Sequence, residues 1–270
     1  MTQFNELNLE SVRIPSFQER IEKLNHMIAD ARRIVFFTGA GISTGSGIPD
    51  FRSADGLYNT SEEADPEYML SADCLYKEPA KFYEYLREHM DFSKAEPNIA
   101  HRVISELQLT RTVSVITQNI DGLHEKAGSK NIAAIHGTLG KFYCDECCAS
   151  HFIPTLVYEG EYDSLPDRVP RCPECSGSAL IRPAITLYSE SLPPTEWEIA
   201  LHWVRNADLF IVVGSSLTVS PANFLPHFFG RDDRLVIINR DPVGIPAELM
   251  FFEDISEVFD NIKIPKEVKK

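Results

Sequence analysis

Four short apolar runs set the strongest limit on what this 270-residue chain can fold into. Ile34 to Thr38, Val113 to Thr117, Leu209 to Val213 and Leu235 to Ile238 show no alternation of apolar and polar residues. A strand with that pattern must be covered on both faces, the condition of a parallel sheet between helices. The runs end in Gly39-Ala40-Gly41-Ile42-Ser43, Gln118-Asn119-Ile120-Asp121, Gly214-Ser215-Ser216 and Asn239-Arg240-Asp241, all glycine-rich or polar. A fifth run, Ala133 to Ile135, ends at His136 and Gly137. Ligands of open α/β sheets bind beyond the carboxyl ends of the strands, so these five ends predict one crevice with a titratable imidazole in it. Ahead of the first run, Ser16 and Glu19 have capping-box spacing, and Phe17, Ile21, Leu24 and Ile28 share one helical face, predicting a helix to about Arg33.

Two stretches interrupt this rhythm and read as insertions. Residues 58–97 contain a helical segment, Pro79 to His89, with Phe82, Tyr85, Leu86 and His89 at helical spacing. Residues 141–180 lack long apolar runs and carry Cys144-x-x-Cys147 and Cys172-x-x-Cys175. Two such pairs can present four thiolates to one tetrahedral zinc ion, with no position left for water, so the metal is expected to be structural and the segment to fold around it. Redox pairs are the alternative, disfavoured because such pairs belong at helix N-termini. Cys148 could exchange with Cys147, although the two-residue spacing favours Cys147; Cys74 and Cys148 are then free thiols. The predicted fold is α/β: a Rossmann-like parallel sheet domain from residues 1–57, 98–140 and 181–270, and a smaller domain made of a helical module, 58–97, and a zinc-binding ribbon-like module, 141–180.

Composition narrows the partners. The chain has 26 Lys+Arg against 40 Asp+Glu, a formal charge of -14, which repels phosphate backbones and anionic lipid. The cysteine-bearing insertion has only Lys141, Arg168 and Arg171 against seven acidic residues, which argues against a nucleic-acid-binding ribbon. No window reaches the roughly 20 apolar residues of a membrane span, and the amino-terminal segment has no apolar export region. The expectation is a cytoplasmic monomer that binds neither nucleic acid nor membrane.

Glycines directly after a buried strand let backbone N–H groups approach a phosphate. Gly39-Ala40-Gly41 nevertheless departs from the dinucleotide fingerprint, because Thr44 stands at the third glycine position and no acidic residue follows a second strand. A dehydrogenase binding mode is therefore not expected. The run from Gly39 to Arg52 is too rich in glycine, proline and small residues for a regular helix, and is expected to be a mobile loop over the ligand.

Gly39-Ala40-Gly41-Ile42-Ser43, Gly47-Ile48-Pro49-Asp50-Phe51-Arg52, Thr117-Gln118-Asn119-Ile120-Asp121-Gly122-Leu123-His124, His136-Gly137, the four paired cysteines, Gly214-Ser215-Ser216-Leu217 and Ile238-Asn239 occur in that order. In this the chain resembles the sirtuins, NAD-dependent protein lysine deacylases, from about Ile34 to Ile255. The resemblance implies that NAD is a cosubstrate: the acyl-lysine oxygen attacks the nicotinamide ribose, nicotinamide leaves, a ribose hydroxyl attacks the resulting imidate, and after water enters O-acyl-ADP-ribose and free lysine result. His136 matches the general base for a ribose hydroxyl, a role that suits an imidazole titrating near neutrality; its bland alternative is a histidine closing a strand. Asn119, the second catalytic candidate, and Asp121 match positions that hold the ribose and the nicotinamide carboxamide, with Ile120 alongside.

Phe51 matches a ring that shields the reacting ribose and Arg52 a phosphate contact, or either is a loop anchor. Gly39, Ala40, Gly41, Ser43, Thr44, Ile48, Asp50, Gln118, Gly214, Ser215, Ser216, Asn239, Arg240, Asp241 and Ile255 fall at cofactor-lining positions, Asn239 at the adenosine ribose. His124 reads as structural. Acetyl-lysine proteins are the implied substrates, paired as an added strand with Leu187, Tyr188, Ser189 and Glu190. Here Ser189 replaces the family's usual glycine, which calls for a narrower groove or an unusual backbone angle. Relatives that prefer succinyl or malonyl groups carry a Tyr-x-x-Arg pair; here Tyr83-Glu84-Tyr85-Leu86 has leucine at the arginine position, favouring acetyl or longer apolar acyl groups, although Arg87 is adjacent. The alternatives are a mono-ADP-ribosyltransferase, a deacylase for longer apolar groups, a non-catalytic NAD sensor or zinc-ribbon binding module, and a hydride-transferring dehydrogenase.

Overall fold

A computed structural model describes residues 15–50, 56, 65–151, 167–175, 177 and 179–266. The helix Phe17–Asp30 opens the described chain, with Ser16 and Glu19 forming the reciprocal capping box. It delivers the chain into β1 (Arg33–Thr38), the centre of a six-stranded sheet. The other members are β2 (Thr112–Thr117), β3 (Ile132–Ala134), β7 (Leu209–Val213), β8 (Leu235–Ile238) and β9 (Leu249–Phe251). Their order is β3-β2-β1-β7-β8-β9 and every pairing is parallel.

The absence of alternation in the apolar runs has a direct structural cause. Along β1, Ile34 and Phe36 enter one core with the helices Phe17–Asp30, Ile99–Leu107 and Ile255–Asp260. Val35 and Phe37 enter the opposite core with Pro194–Asn206 and Leu225–Phe229. Both faces of the sheet are thus helix-covered, as the strand composition demanded.

A second, three-stranded antiparallel sheet, in the order β5-β4-β6, is built from β4 (Gly137–Cys144), β5 (Ser150–His151) and β6 (Ile181–Ile185). Its core unites Leu139, Phe142 and Ile181 with Leu75, Phe82, Tyr83 and Leu86 of the helical module. The small unit therefore draws on β4 and β6 residues that lie outside the 58–97 and 141–180 stretches. No helix among the described residues is long and apolar enough to cross a membrane.

Candidate active site

Strand order in the large sheet reverses between β1 and β7, and the carboxyl ends of these two parallel strands open a crevice at that switch point. Residues 40–46 after β1 form a short 3-10 helix, a correction to the expected irregular loop. A run of small residues can still make the tighter i to i+3 turns. The glycines there serve packing of two turns against each other. A Cβ on Gly41 would lie 2.8 Å from Gly214 Cα, and one on Gly39 would lie 2.7 Å from Gly214 O. Gly214 itself has φ +60, with the Gly41 and Ile42 backbones where its side chain would be.

The β2 end meets this turn. Ser43 is buried, and its hydroxyl donates to Asp121 Oδ2 at 2.7 Å. Asn119 Nδ2 donates to Gly39 O and to Ser43 Oγ, each at 3.1 Å. Gln118 Nε2 donates to Ser215 Oγ at 2.9 Å, joining the β2 end to the β7 end. Burial pushes the Asp121 carboxyl up from its ordinary range, while donors from Leu123 N–H, Ser43 and Asn119 pull it back down.

His136 leaves the β3 end and is held from two sides. Its backbone carbonyl accepts from Thr186 N at 2.9 Å, and its Nδ1 lies 3.0 Å from Gln118 O. A carbonyl can only accept, so Nδ1 carries the proton and Nε2 keeps its lone pair. Burial lowers the imidazole pKa below its usual value, opposed in part by the Gln118 bond, so the neutral ring dominates at pH 7. Gly137 follows with φ +79, and a Cβ there would lie 2.0 Å from Ala184 O, so a side chain would have no room.

One cavity of about 1010 Å³ collects these groups. Gly39, Ala40, Gly41, Ser43, Thr44, Ile48, Asp50, Gln118, Asn119, Ile120, Asp121 and His136 line it. So do Gly214, Ser215, Ser216, Asn239, Arg240, Asp241 and Ile255, and the turn Leu187, Tyr188, Ser189 and Glu190. Phe51 and Arg52 lie outside the described residues. Apolar wall is supplied by Leu70, Ile185 and Leu187 with Phe92 and Ile120, members of the small-unit core. Tyr83 and Leu86 are fully buried in that core and do not line the cavity; the Tyr83 hydroxyl donates to Ile181 O. The helix Pro79–His89 turns both inward, into the small-unit core.

Sequence reasoning missed the anchor beneath the cofactor turn. Asn98 caps the helix Ile99–Leu107, and its Nδ2 donates to Ile42 O at 2.7 Å and to Ser46 Oγ at 3.1 Å. Asn98 Oδ1 faces His101 Nδ1 at 3.1 Å, the His101 and His124 rings meet edge-on at 4.8 Å, and His124 Nε2 reaches Thr38 Oγ1 at 3.0 Å. Burial drives the His101 pKa down to about 4 and that of His124 well below its usual value. His124 is structural, as expected. The available signal was the Asn98-x-x-His101 spacing at a helix start, which an N-cap reading would have found.

The four sulfurs of Cys144, Cys147, Cys172 and Cys175 lie within 4.8 Å of one another, with Cys144–Cys175 at 3.7 Å and Cys147–Cys172 at 3.8 Å. Tetrahedral zinc with Zn–S bonds of about 2.3 Å requires S–S separations of about 3.8 Å, so the donor set fits that ion. Cys148 is exposed and outside the cluster, and Cys74 is buried elsewhere.

The fold and crevice define a Rossmann-like nucleotide-site protein carrying a four-cysteine module. The chain belongs to the Sir2 family, whose profile matches residues 39–221. It is 39% identical to an NAD-dependent protein deacetylase of Listeria monocytogenes serotype 4b (strain F2365), over 90% of this chain and 100% of the relative. A solved structure of Sir2 with a deacetylated p53 peptide and 3'-O-acetyl-ADP-ribose superposes with TM-score 0.80 at 33% identity, covering 89% of this chain and 96% of that one. A Sir2 structure with a p53 peptide and NAD+ superposes with TM-score 0.75 at 34% identity, covering 89% and 95%.

Proposed function

We infer that this chain is an NAD-dependent protein lysine deacetylase. The observation that carries the reading is the His136 imidazole, with Nδ1 3.0 Å from Gln118 O, on the wall of the cavity that also holds Asn119, Asp121 and the glycine turn. Bound NAD supplies the ribose that accepts the acyl group as nicotinamide departs. His136 Nε2 takes a proton from a ribose hydroxyl and returns it later in the cycle. Asp121 accepts from the carboxamide NH2, and Asn119, braced against Gly39 O and Ser43, orients the ribose and the incoming acyl oxygen. Ser215, Asn239 and Ile255 serve the adenosine end, and Phe51 and Arg52 complete the cofactor site as shield and phosphate contact.

The Leu187–Glu190 turn takes the substrate backbone as an added strand. The apolar wall of Leu70, Phe92 and Ile120 suits acetyl and also favours longer apolar acyl groups as a second activity. Zinc held by Cys144, Cys147, Cys172 and Cys175 is structural, since four thiolates fill its shell. Free thiolates suit a reducing cytoplasm, and the charge of -14 favours basic protein partners over nucleic acid or membrane. The protein acts as a monomer, with residues 58–97 and 141–180 as the two modules of the small domain.

Incubation with NAD and an acetyl-lysine peptide, followed by mass spectrometry, should yield O-acetyl-ADP-ribose and free lysine in equal amounts. Label on the protein with no such product would sink the deacetylase reading in favour of ADP-ribosyl transfer.

A further inference from the structure

Turn residues Leu187 to Glu190 adopt a shape that their own sequence does not favour. Glu190 N donates to Leu187 O at 3.0 Å, and the third residue, Ser189, has φ 75. That left-handed position belongs to glycine in a turn of this kind, and serine gains nothing there. Something outside the turn must hold it.

The holder is Arg182, an arginine of β6 that is only 4% exposed. Its Nη1 and Nη2 donate to Glu190 Oε1 and Oε2 at 2.7 and 2.8 Å, a two-pronged pair. The same carboxylate accepts Leu187 N at 2.9 Å, closing the turn from within. Nη2 also reaches Ile185 O at 3.3 Å, and the guanidinium lies over the Tyr143 ring at 5.6 Å. Nη1 donates further to the Tyr76 hydroxyl at 3.3 Å, which donates to Asp145 Oδ2 at 2.8 Å. Asp145 sits between the first two cysteine ligands. The ring closes through the backbone, because Tyr188 N donates to Leu70 O at 2.9 Å and Ala72 N to Tyr188 O at 3.2 Å, at the start of the helix that carries Tyr76.

We propose that Arg182 is a positioning residue for the acyl-peptide, holding the Leu187–Glu190 turn in its strand-accepting shape and tethering it through Tyr76 and Asp145 to the cysteine knuckle. This rests on the reading of that turn as the peptide site. Arg182 touches none of the groups assigned to the ribose, so its influence falls on peptide and not on cofactor. A lysine cannot make the two-pronged contact, which makes Arg182→Lys informative.

The test pairs steady-state kinetics with calorimetry on the zinc-loaded full chain, using an acetyl-lysine peptide and ADP-ribose as probes. Arg182→Lys should raise the peptide KM by about tenfold, equivalent to about 1.4 kcal/mol, with kcat at saturating peptide and the ADP-ribose Kd within about twofold of wild type. Tyr76→Phe keeps the half-exposed ring and should raise the peptide KM about two- to threefold with unchanged zinc content and Tm. In the wild type, peptide should slow amide exchange at residues 187–190. If no slowing occurs there, the peptide-site reading itself fails. If it occurs and both variants keep the wild-type peptide KM, or if ADP-ribose binding weakens in step with it, the role given to Arg182 is overturned.

Discussion

The two walls of the cavity are held by different means. On the sheet side, Gly39, Asn119, Asp121, His136 and Gly214 stand at or just beyond strand ends that parallel register brings together. On the small-unit side, the Leu187–Glu190 turn depends on an arginine from β6, a tyrosine from the helical module and an aspartate from the cysteine knuckle. One wall inherits its shape from a core buried on both faces; the other must be assembled from segments that cannot fold separately. Damage to the first should therefore appear as lost cofactor binding, and damage to the second as lost peptide binding.

The largest expected effect is on the assembled wall. Cys172→Ser, or removal of metal by a strong chelator, should release the small unit, because structural zinc contributes on the order of 10 kcal/mol of binding energy to folding. Peptide-dependent nicotinamide release should vanish while ADP-ribose binding by calorimetry survives. Loss of both together would mean that the two walls are not separable.

Next comes the sheet wall. Gly214→Ala puts a Cβ on a residue with φ +60, against the Gly41 and Ile42 backbones. It should cost roughly 1–3 kcal/mol of stability and weaken ADP-ribose binding by more than about tenfold. Wild-type affinity in that variant would show that the two turns are not in the contact described.

Acid should act through the polar chain under the cofactor turn. His101 and His124 are neutral when folded and titrate near 6.5 when unfolded, so the unfolded state binds more protons below that pH. Stability is full above about pH 6.5 and falls as pH drops toward the folded His101 pKa of about 4. The His101 share of the loss across that window should be on the order of 3 kcal/mol, read from urea midpoints, and His101→Gln should remove that share and leave the share of His124. A pH-independent midpoint would contradict the buried neutral pair.

A smaller effect is expected at Asn98, whose amide ties Ile42 and Ser46 to the helix start. Asn98→Ala should raise the NAD KM about three- to tenfold, since each lost bond is worth about 0.5–1.5 kcal/mol, with peptide KM unchanged. The smallest change is a gain: Ser189→Gly relieves a left-handed serine and should add up to about 1 kcal/mol, visible as a rise in Tm.

The sheet, its ligand edge and the metal cluster were legible in the sequence because each is written in contiguous residues. Apolar runs followed by Gly39-Ala40-Gly41 or Gln118-Asn119-Ile120-Asp121, and two Cys-x-x-Cys pairs, carry their geometry with them. What was not legible depends on which way a side chain turns in the assembled fold. Leu86 stands at the arginine position of the Tyr-x-x-Arg pair, and only the assembled fold shows that its side chain is buried in the small-unit core. The Asn98-x-x-His101 spacing signals a helix start but not the bonds to Ile42 and Ser46, which lie far back in the chain, and nothing local to Arg182 signals its reach to Tyr76. The serine at position 189 is an intermediate case: of the two expectations for it, a narrower groove or an unusual backbone angle, the second is seen, while the ion pair beside it had no sequence signal.

The central claim is that His136 is a base and not a strand-closing histidine. It is tested most directly by His136→Ala, with single-turnover deacetylation measured beside ADP-ribose binding. A general base of this kind contributes about 10²–10⁴-fold to rate, so the variant should lose at least about a hundredfold in deacetylation while its ADP-ribose Kd stays within about twofold. Deacetylation at the wild-type rate in His136→Ala would contradict the account.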